Sequence, residues 1–130
     1  MVSLDNVVSY IERNLEGSIR VTTLARIVRL SPTHFSRVFT KALGVPPGHY
    51  VRLRRLQAAM TLMRTTTAPL SVIAVSSGHS DQSHLTRMFS RLVGVSPRRW
   101  RAAACQNPAS VAQLLAPGVT FGARRWRPAR

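Results

Sequence analysis

The sequence predicts an all-α fold: two helix-turn-helix subdomains joined by a long central helix, about seven helices in all. Three observations predict it. The stretch THFSRVF (residues 33–39) returns fifty positions later as SHLTRMF (83–89), and KALGVPP (41–47) is answered by RLVGVSP (91–97). Within each copy the apolar residues fall at i, i+3, i+4 and i+7, the period of a helix packed on one side. Proline and glycine punctuate both copies at matching places, where helices open and close.

Each element has its own signals. Ser3 or Asp5 can open the first helix, Leu4, Val7, Val8, Ile11 and Leu15 form its apolar stripe, and Gly17 ends it. Thr22 or Thr23 can cap a short second helix through Val28. Ser31-Pro32 opens the third: the serine hydroxyl accepts from a free first-turn N–H, and proline at the first helical position leaves no N–H unpaired. That helix runs to Leu43, and Gly44 stops it. Val45-Pro46-Pro47 opens a long fourth helix to about Arg64. Its apolar residues form two faces, Leu53, Leu56, Met60 and Met63 on one and Val51, Ala58, Ala59 and Leu62 on the other. A helix apolar on two sides is packed on two sides, so it joins the units rigidly. After the turn at 65–69 come a short fifth helix (70–77), a sixth capped by Asp81 and ended by Gly94, and a seventh opened by Ser96-Pro97 and running to about Cys105. No strand is expected. The first helix-turn-helix thus covers about 22–43, the linker helix 47–64 and the second unit 70–93, in a domain of residues 1–105.

Charge narrows the function. There are 19 Lys and Arg against 4 Asp and Glu, a formal +15, and from Gly17 to Ser80 there is no acid. Such a field favours a polyanion, nucleic acid first and an anionic membrane second. The runs without charge are too short and too broken to span a bilayer. The N-terminus does not read as a secretory signal, and the single Cys105 excludes an intrachain disulfide. Both point to the cytoplasm.

With the apolar stripe removed, the third helix presents Thr33, His34, Ser36, Arg37, Thr40 and Lys41. The sixth presents Gln82, Ser83, His84, Thr86, Arg87, Ser90 and Arg91, with no acid beyond the capping Asp81. Hydroxyl, amide and guanidinium groups on one helical face suit the major groove. Arg can bond guanine O6 and N7 together, Gln can do the same on adenine, and Ser or Thr suits several base edges. Residues near the start of a recognition helix reach bases, and the surroundings grip phosphates. Thr33, Ser36, Arg37, Gln82, Ser83, Thr86 and Arg87 are therefore the base-edge candidates. His34, Thr40, Lys41, Arg52, Arg54, His84, Ser90 and Arg91 are candidates for the DNA backbone.

These residues give the sequence a family likeness. It resembles the AraC/XylS-type transcription regulators in Leu24-Ala25, Leu30-Ser31-Pro32, Phe35-Ser36-Arg37-Val38-Phe39, Gly44-Val45-Pro46-Pro47, Tyr50-Val51, Arg55-Leu56 and Ala59. The likeness continues in Ile73-Ala74, Gly78, Asp81-Gln82-Ser83-His84-Leu85, Arg87, Phe89 and Gly94-Val95-Ser96-Pro97, so that it runs over roughly residues 4–103. The resemblance implies a sequence-specific double-stranded DNA-binding regulator, read as an activator that engages RNA polymerase. It also implies two recognition helices in adjacent major-groove turns, about 34 Å or ~10–10.5 base pairs apart. One chain carries both, so a monomer suffices on DNA. A departure from the family is His79, where an aromatic, most often Phe, is usual. A buried imidazole requires a hydrogen-bond partner, for which a neighbouring backbone carbonyl is the expected candidate, or the second unit packs less tightly.

Other classes fare worse. No carboxylate pair, metal-ligand spacing or glycine-rich phosphate loop is present, so no enzyme, metal or cofactor is expected. A cationic membrane protein would concentrate its charge on one amphipathic helix. A non-specific basic nucleic-acid-binding protein is the alternative, and it does not require two polar faces repeated at a fixed offset. Residues 106–130, rich in Pro, Gly and Arg, read as a basic tail. One or two helical turns are expected at 109–115, with a possible phosphate clamp around Trp126.

Overall fold

The computed structural model describes residues 3–106 and the pairs 120–121 and 124–125. It contains α1 (Asp5–Arg13), α2 (Val21–Ile27), α3 (Pro32–Leu43), α4 (Pro47–Thr65), α5 (Leu70–Ser76), α6 (Gln82–Val93) and α7 (Pro97–Gln106). The all-α expectation holds for the body of the chain. The exception to the absence of strands is a ladder of two residues per strand, β1 (Thr120–Phe121) against antiparallel β2 (Arg124–Arg125). The expected turns at 109–115 and the clamp at Trp126 fall outside the described residues.

The clearest sequence signals gave the expected caps. Ser31 Oγ accepts from the His34 N–H at 3.2 Å, and Asp81 Oδ1 accepts from the His84 N–H at 2.8 Å. Gly44 and Gly94 close α3 and α6 in the left-handed region, at φ 83° and 92°. The weaker signals were overridden. The N-cap of α1 is Leu4, which makes no side-chain bond; Ser3, one residue earlier, accepts from the Asp5 N–H at 3.4 Å, and Asp5 lies inside the helix. The helix stops at Arg13, well before Gly17, because Asn14 turns its side-chain amide back onto the Tyr10 carbonyl at 2.7 Å. α2 opens at Val21, so Thr22 and Thr23 lie inside it rather than capping it.

Two hydrophobic cores form, and α4 serves both. Val7, Ile11, Leu24, Ala25, Phe35, Phe39, Val45, Tyr50 and Val51 make the first. Leu53, Leu56, Ala59, Met60, Met63, Ile73, Ala74, Leu85, Phe89, Trp100 and Ala104 make the second. The two-face reading of α4 is corrected here: the helix divides along its length. Its opening turn closes the first core, and its buried apolar residues from Leu53 onward belong to the second. Ala59, assigned to the other face, sits with Leu56, while Ala58 is only half-buried. The repeat explains the division. Leu56 and Met60 stand 49 positions after Val7 and Ile11 (56 − 7 and 60 − 11), so the body of α4 does for the second unit what α1 does for the first.

Three carbonyls, in the last turn of α4 and the connection after it, are held by one side chain. Arg101 donates to the Met63, Ala68 and Thr66 oxygens at 3.1, 2.7 and 2.7 Å. A guanidinium here satisfies carbonyls that the helix end leaves without intrahelical partners, and it pins α7 to the α4–α5 connection.

Candidate nucleic-acid interface

Each unit aims its exposed helix by the same packing device. Phe35 and Phe39 are fully buried under α3, and Leu85 and Phe89 under α6. The Phe39 ring meets Tyr50 edge-on at 5.4 Å and 77°. Fifty positions on, Phe89 meets Trp100 at 5.8 Å and 69°. The repeat therefore extends past Pro47 and Pro97 into the first turn of the following helix. Edge-to-face pairs of this kind contribute about 0.5–1.5 kcal/mol beyond the area they bury. They also fix the roll of α3 and α6 about their axes, and so which residues look outward.

The candidate residues of α3 and α6 differ in exposure. On α3, Thr33, His34, Arg37 and Lys41 are exposed, and Ser36 and Thr40 half-buried. On α6, Gln82, Ser83, Arg87, Ser90 and Arg91 are exposed, and His84 and Thr86 half-buried. Thr33, Ser36, Arg37 and Thr40 follow i, i+3, i+4, i+7, and so do Ser83, Thr86, Arg87 and Ser90, so each set lies along one face. Thr40 donates its hydroxyl to the Ser36 carbonyl at 2.7 Å and must release that bond before it can donate elsewhere. Arg52 is exposed on α4.

Two more of the backbone candidates have intramolecular tasks. Arg54 forms a two-pronged ion pair with Glu12, at 2.6 and 2.9 Å, and also bonds Gln57. It links α4 to α1, and a phosphate would have to compete with Glu12 for it. His84 turns its ring toward the α5–α6 turn, where Nδ1 accepts from the Ser80 N–H at 3.4 Å and the ring meets His79 edge-on at 5.3 Å.

His79 is buried, and a neighbouring backbone carbonyl, that of Ala74, is among the partners of its side chain, as expected. Nδ1 lies 3.0 Å from the buried Ser77 hydroxyl, which itself donates back to the Ile73 carbonyl at 2.7 Å. Burial, and then the neighbouring His84 and Arg55, push the imidazole down to about 4. An unfolded histidine takes up its proton near 6.5. Between these values the unfolded chain holds a proton that the native chain lacks, so stability falls as pH drops from about 6.5 toward 4 and is indifferent to this group above that window. His79→Phe should flatten the fall while keeping the site filled. Urea midpoints at about pH 7.5 and pH 5 check it: an undiminished difference in the variant would contradict the assignment.

Among the described residues no group of His, Cys, Asp or Glu could hold a metal ion, and no helix is long and apolar enough to cross a membrane.

The architecture has close counterparts. A helix-turn-helix domain family matches residues 24–103, more than half the chain. A transcriptional regulator of Chromobacterium violaceum with an AraC-type DNA-binding domain superposes with a TM-score of 0.73 at 28% identity, over 80% of this chain and 93% of that one. The chain belongs to the AraC-type helix-turn-helix family. The DNA-binding domain of AdpA, a global transcriptional factor solved in complex with a target DNA, is similar at a TM-score of 0.74 and 28% identity, over 84% of this chain and 99% of that one. The probable transcriptional regulator LumQ of Photobacterium leiognathi is 37% identical over 101 residues, which are 78% of this chain and 40% of LumQ. The chain thus spans about two fifths of that relative's length.

The chain thus carries an AraC-type helix-turn-helix domain, with two helix-turn-helix units. Arg98 and Arg99 are not among the candidates that the sequence singles out. Both are exposed in the first turn of α7, directly after α6. Ser96 Oγ accepts from the Arg99 N–H at 3.2 Å and orders that turn. Their signal was available, since they stand fifty positions after Gly48 and His49, where the first unit carries no guanidinium.

Proposed function

We propose that this chain binds double-stranded promoter DNA sequence-specifically as a monomer, with α3 and α6 in adjacent major-groove turns. The observation that carries the reading is the pair of polar, acid-free helical faces repeated on two correspondingly packed units. Thr33, Ser36 and Arg37 read one half-site. Gln82, Ser83, Thr86 and Arg87 read the other. His34, Lys41, Arg52, Ser90 and Arg91 hold phosphates around them, joined by Arg98 and Arg99. Thr40, Arg54 and His84 contribute only as far as their internal bonds yield. The output is activation through RNA polymerase, which in vitro transcription from a bound promoter reads directly as more or less transcript.

Arg37→Ala and Arg87→Ala test the base-reading roles. Each should lose about 1–3 kcal/mol of discrimination, within its own half-site only. Binding isotherms on duplexes mutated base by base supply the measurement. If either substitution weakens every sequence equally, that arginine is a phosphate contact.

A further inference from the structure

Two cores strung on one helix do not by themselves fix the distance between two recognition helices. α4 has 19 residues, so it is about 28 Å long. A swing of about 10° at one end moves the other by roughly 5 Å, more than the ~3.4 Å rise of one base pair. Reading two half-sites in one register therefore needs a brace between the units, besides the helix they share.

The brace is visible at Arg55. From α4, its Nε donates to the Leu15 carbonyl at 2.9 Å and its Nη2 to the Gly17 carbonyl at 2.6 Å. Both carbonyls belong to the α1–α2 connection of the first unit. The other side of the same side chain lies against the α5–α6 turn of the second. A Cβ placed on Gly78 would fall 2.7 Å from Arg55 Nε and 2.0 Å from the Leu15 oxygen. Backbone of the first unit thus meets backbone of the second directly, with one guanidinium sealing the joint.

The repeat shows that the turn itself does not demand glycine. The equivalent residue in the first unit, 49 positions earlier (78 − 29), is Arg29, which holds the left-handed conformation at φ 58°. The backbone bonds around the two positions correspond. Leu30 N–H donates to the Ala25 carbonyl at 3.0 Å, and His79 N–H to the Ala74 carbonyl at 2.8 Å. Arg29 is exposed. What separates Gly78 from Arg29 is the approach of the other unit.

We propose that Arg55, seated against Gly78, is a positioning residue that fixes the spacing and phase of the two recognition helices. This rests on the reading that α3 and α6 each occupy a half-site. Arg55 itself touches no DNA in that reading, and its removal should alter the register between half-sites rather than the reading of either.

The test uses the full chain on three kinds of duplex: the preferred two-half-site sequence, the same with one or two base pairs inserted or removed between half-sites, and one with a half-site scrambled. The unaltered protein should lose about ten-fold in affinity on a one-base-pair insertion, the scale of a single mismatch. Arg55→Gln should bind the native spacing about ten-fold more weakly, keep its affinity for the single half-site, and distinguish native from altered spacing by less than about three-fold. Arg55→Lys, which retains the charge and one donor site, should fall between and serves if the glutamine variant does not fold. Equal weakening on every duplex, or a spacing preference kept intact, would overturn the proposal and leave Arg55 a cap on α1. An unaltered protein indifferent to the second half-site would sink the two-site reading itself, which is a distinguishable result.

Discussion

Phe39→Ala should lower folding stability by about 3–5 kcal/mol, the range for truncating a buried phenylalanine. Phe39 has no exposed surface and meets Phe35 at 5.6 Å and Tyr50 at 5.4 Å, so its removal empties the centre of the first core. That loss is a large part of the roughly 5–15 kcal/mol that holds a typical domain together. The second core should feel it too, because α4 is common to both and Gly78 abuts Leu15. Trp100 reports on the second core, and a Trp126→Phe background makes it the sole tryptophan. Urea unfolding followed by far-UV circular dichroism and by Trp100 fluorescence should show one transition, shifted together. A Trp100 transition left at its original denaturant concentration would mean that the cores fold independently.

Gly78→Ala should be nearly as damaging, at about 3 kcal/mol or more. A left-handed φ accounts for only about 1–2 kcal/mol of that. The larger share comes from a Cβ driven to 2.0 Å from the Leu15 oxygen, a backbone atom that can retreat only if the two units part. Arg29→Gly is the informative control, since it changes the equivalent turn where no second unit approaches. It should shift stability by no more than about 1 kcal/mol in either direction, the balance of relieved strain and added chain entropy. Thermal or urea melts of both variants decide it. If alanine at 78 costs no more than the left-handed conformation alone, the units are not in contact there.

Much of the fold was legible because it rests on local chemistry. Ser31-Pro32 and Asp81 cap helices by contacts within three residues, and the stripes through Phe35 and Phe39 or Leu85 and Phe89 show the helical period directly. Where local signals were ambiguous, tertiary packing decided. Thr22 and Thr23 look like caps, yet α2 begins before them, with Val21 packed against the first core. The correspondence of Tyr50 with Trp100 was hidden because the two residue types differ, although their geometry against Phe39 and Phe89 is alike. The arginines misled most. A charge of +15 reads as a DNA-facing field, but Arg55 and Arg101 bond carbonyls 33 to 40 residues away, and Arg54 reaches Glu12. No periodicity can separate such residues from surface cations like Arg37 and Arg87. The candidate faces of α3 and α6 were legible for the opposite reason: a polar face without acids, repeated on two helices, has no core to serve.

The second copy also differs from the first where it begins. Asp81-Gln82 stands where Ser31-Pro32 stood, so only α6 offers an amide at that point. The two half-sites should therefore be unlike. The most direct test of the whole account is selection of bound sequences from a random duplex pool at moderate salt. The account predicts one motif of two different half-sites, centred about 10 base pairs apart and fixed in order. A flat pool, or a single half-site with no partner at that distance, would contradict it.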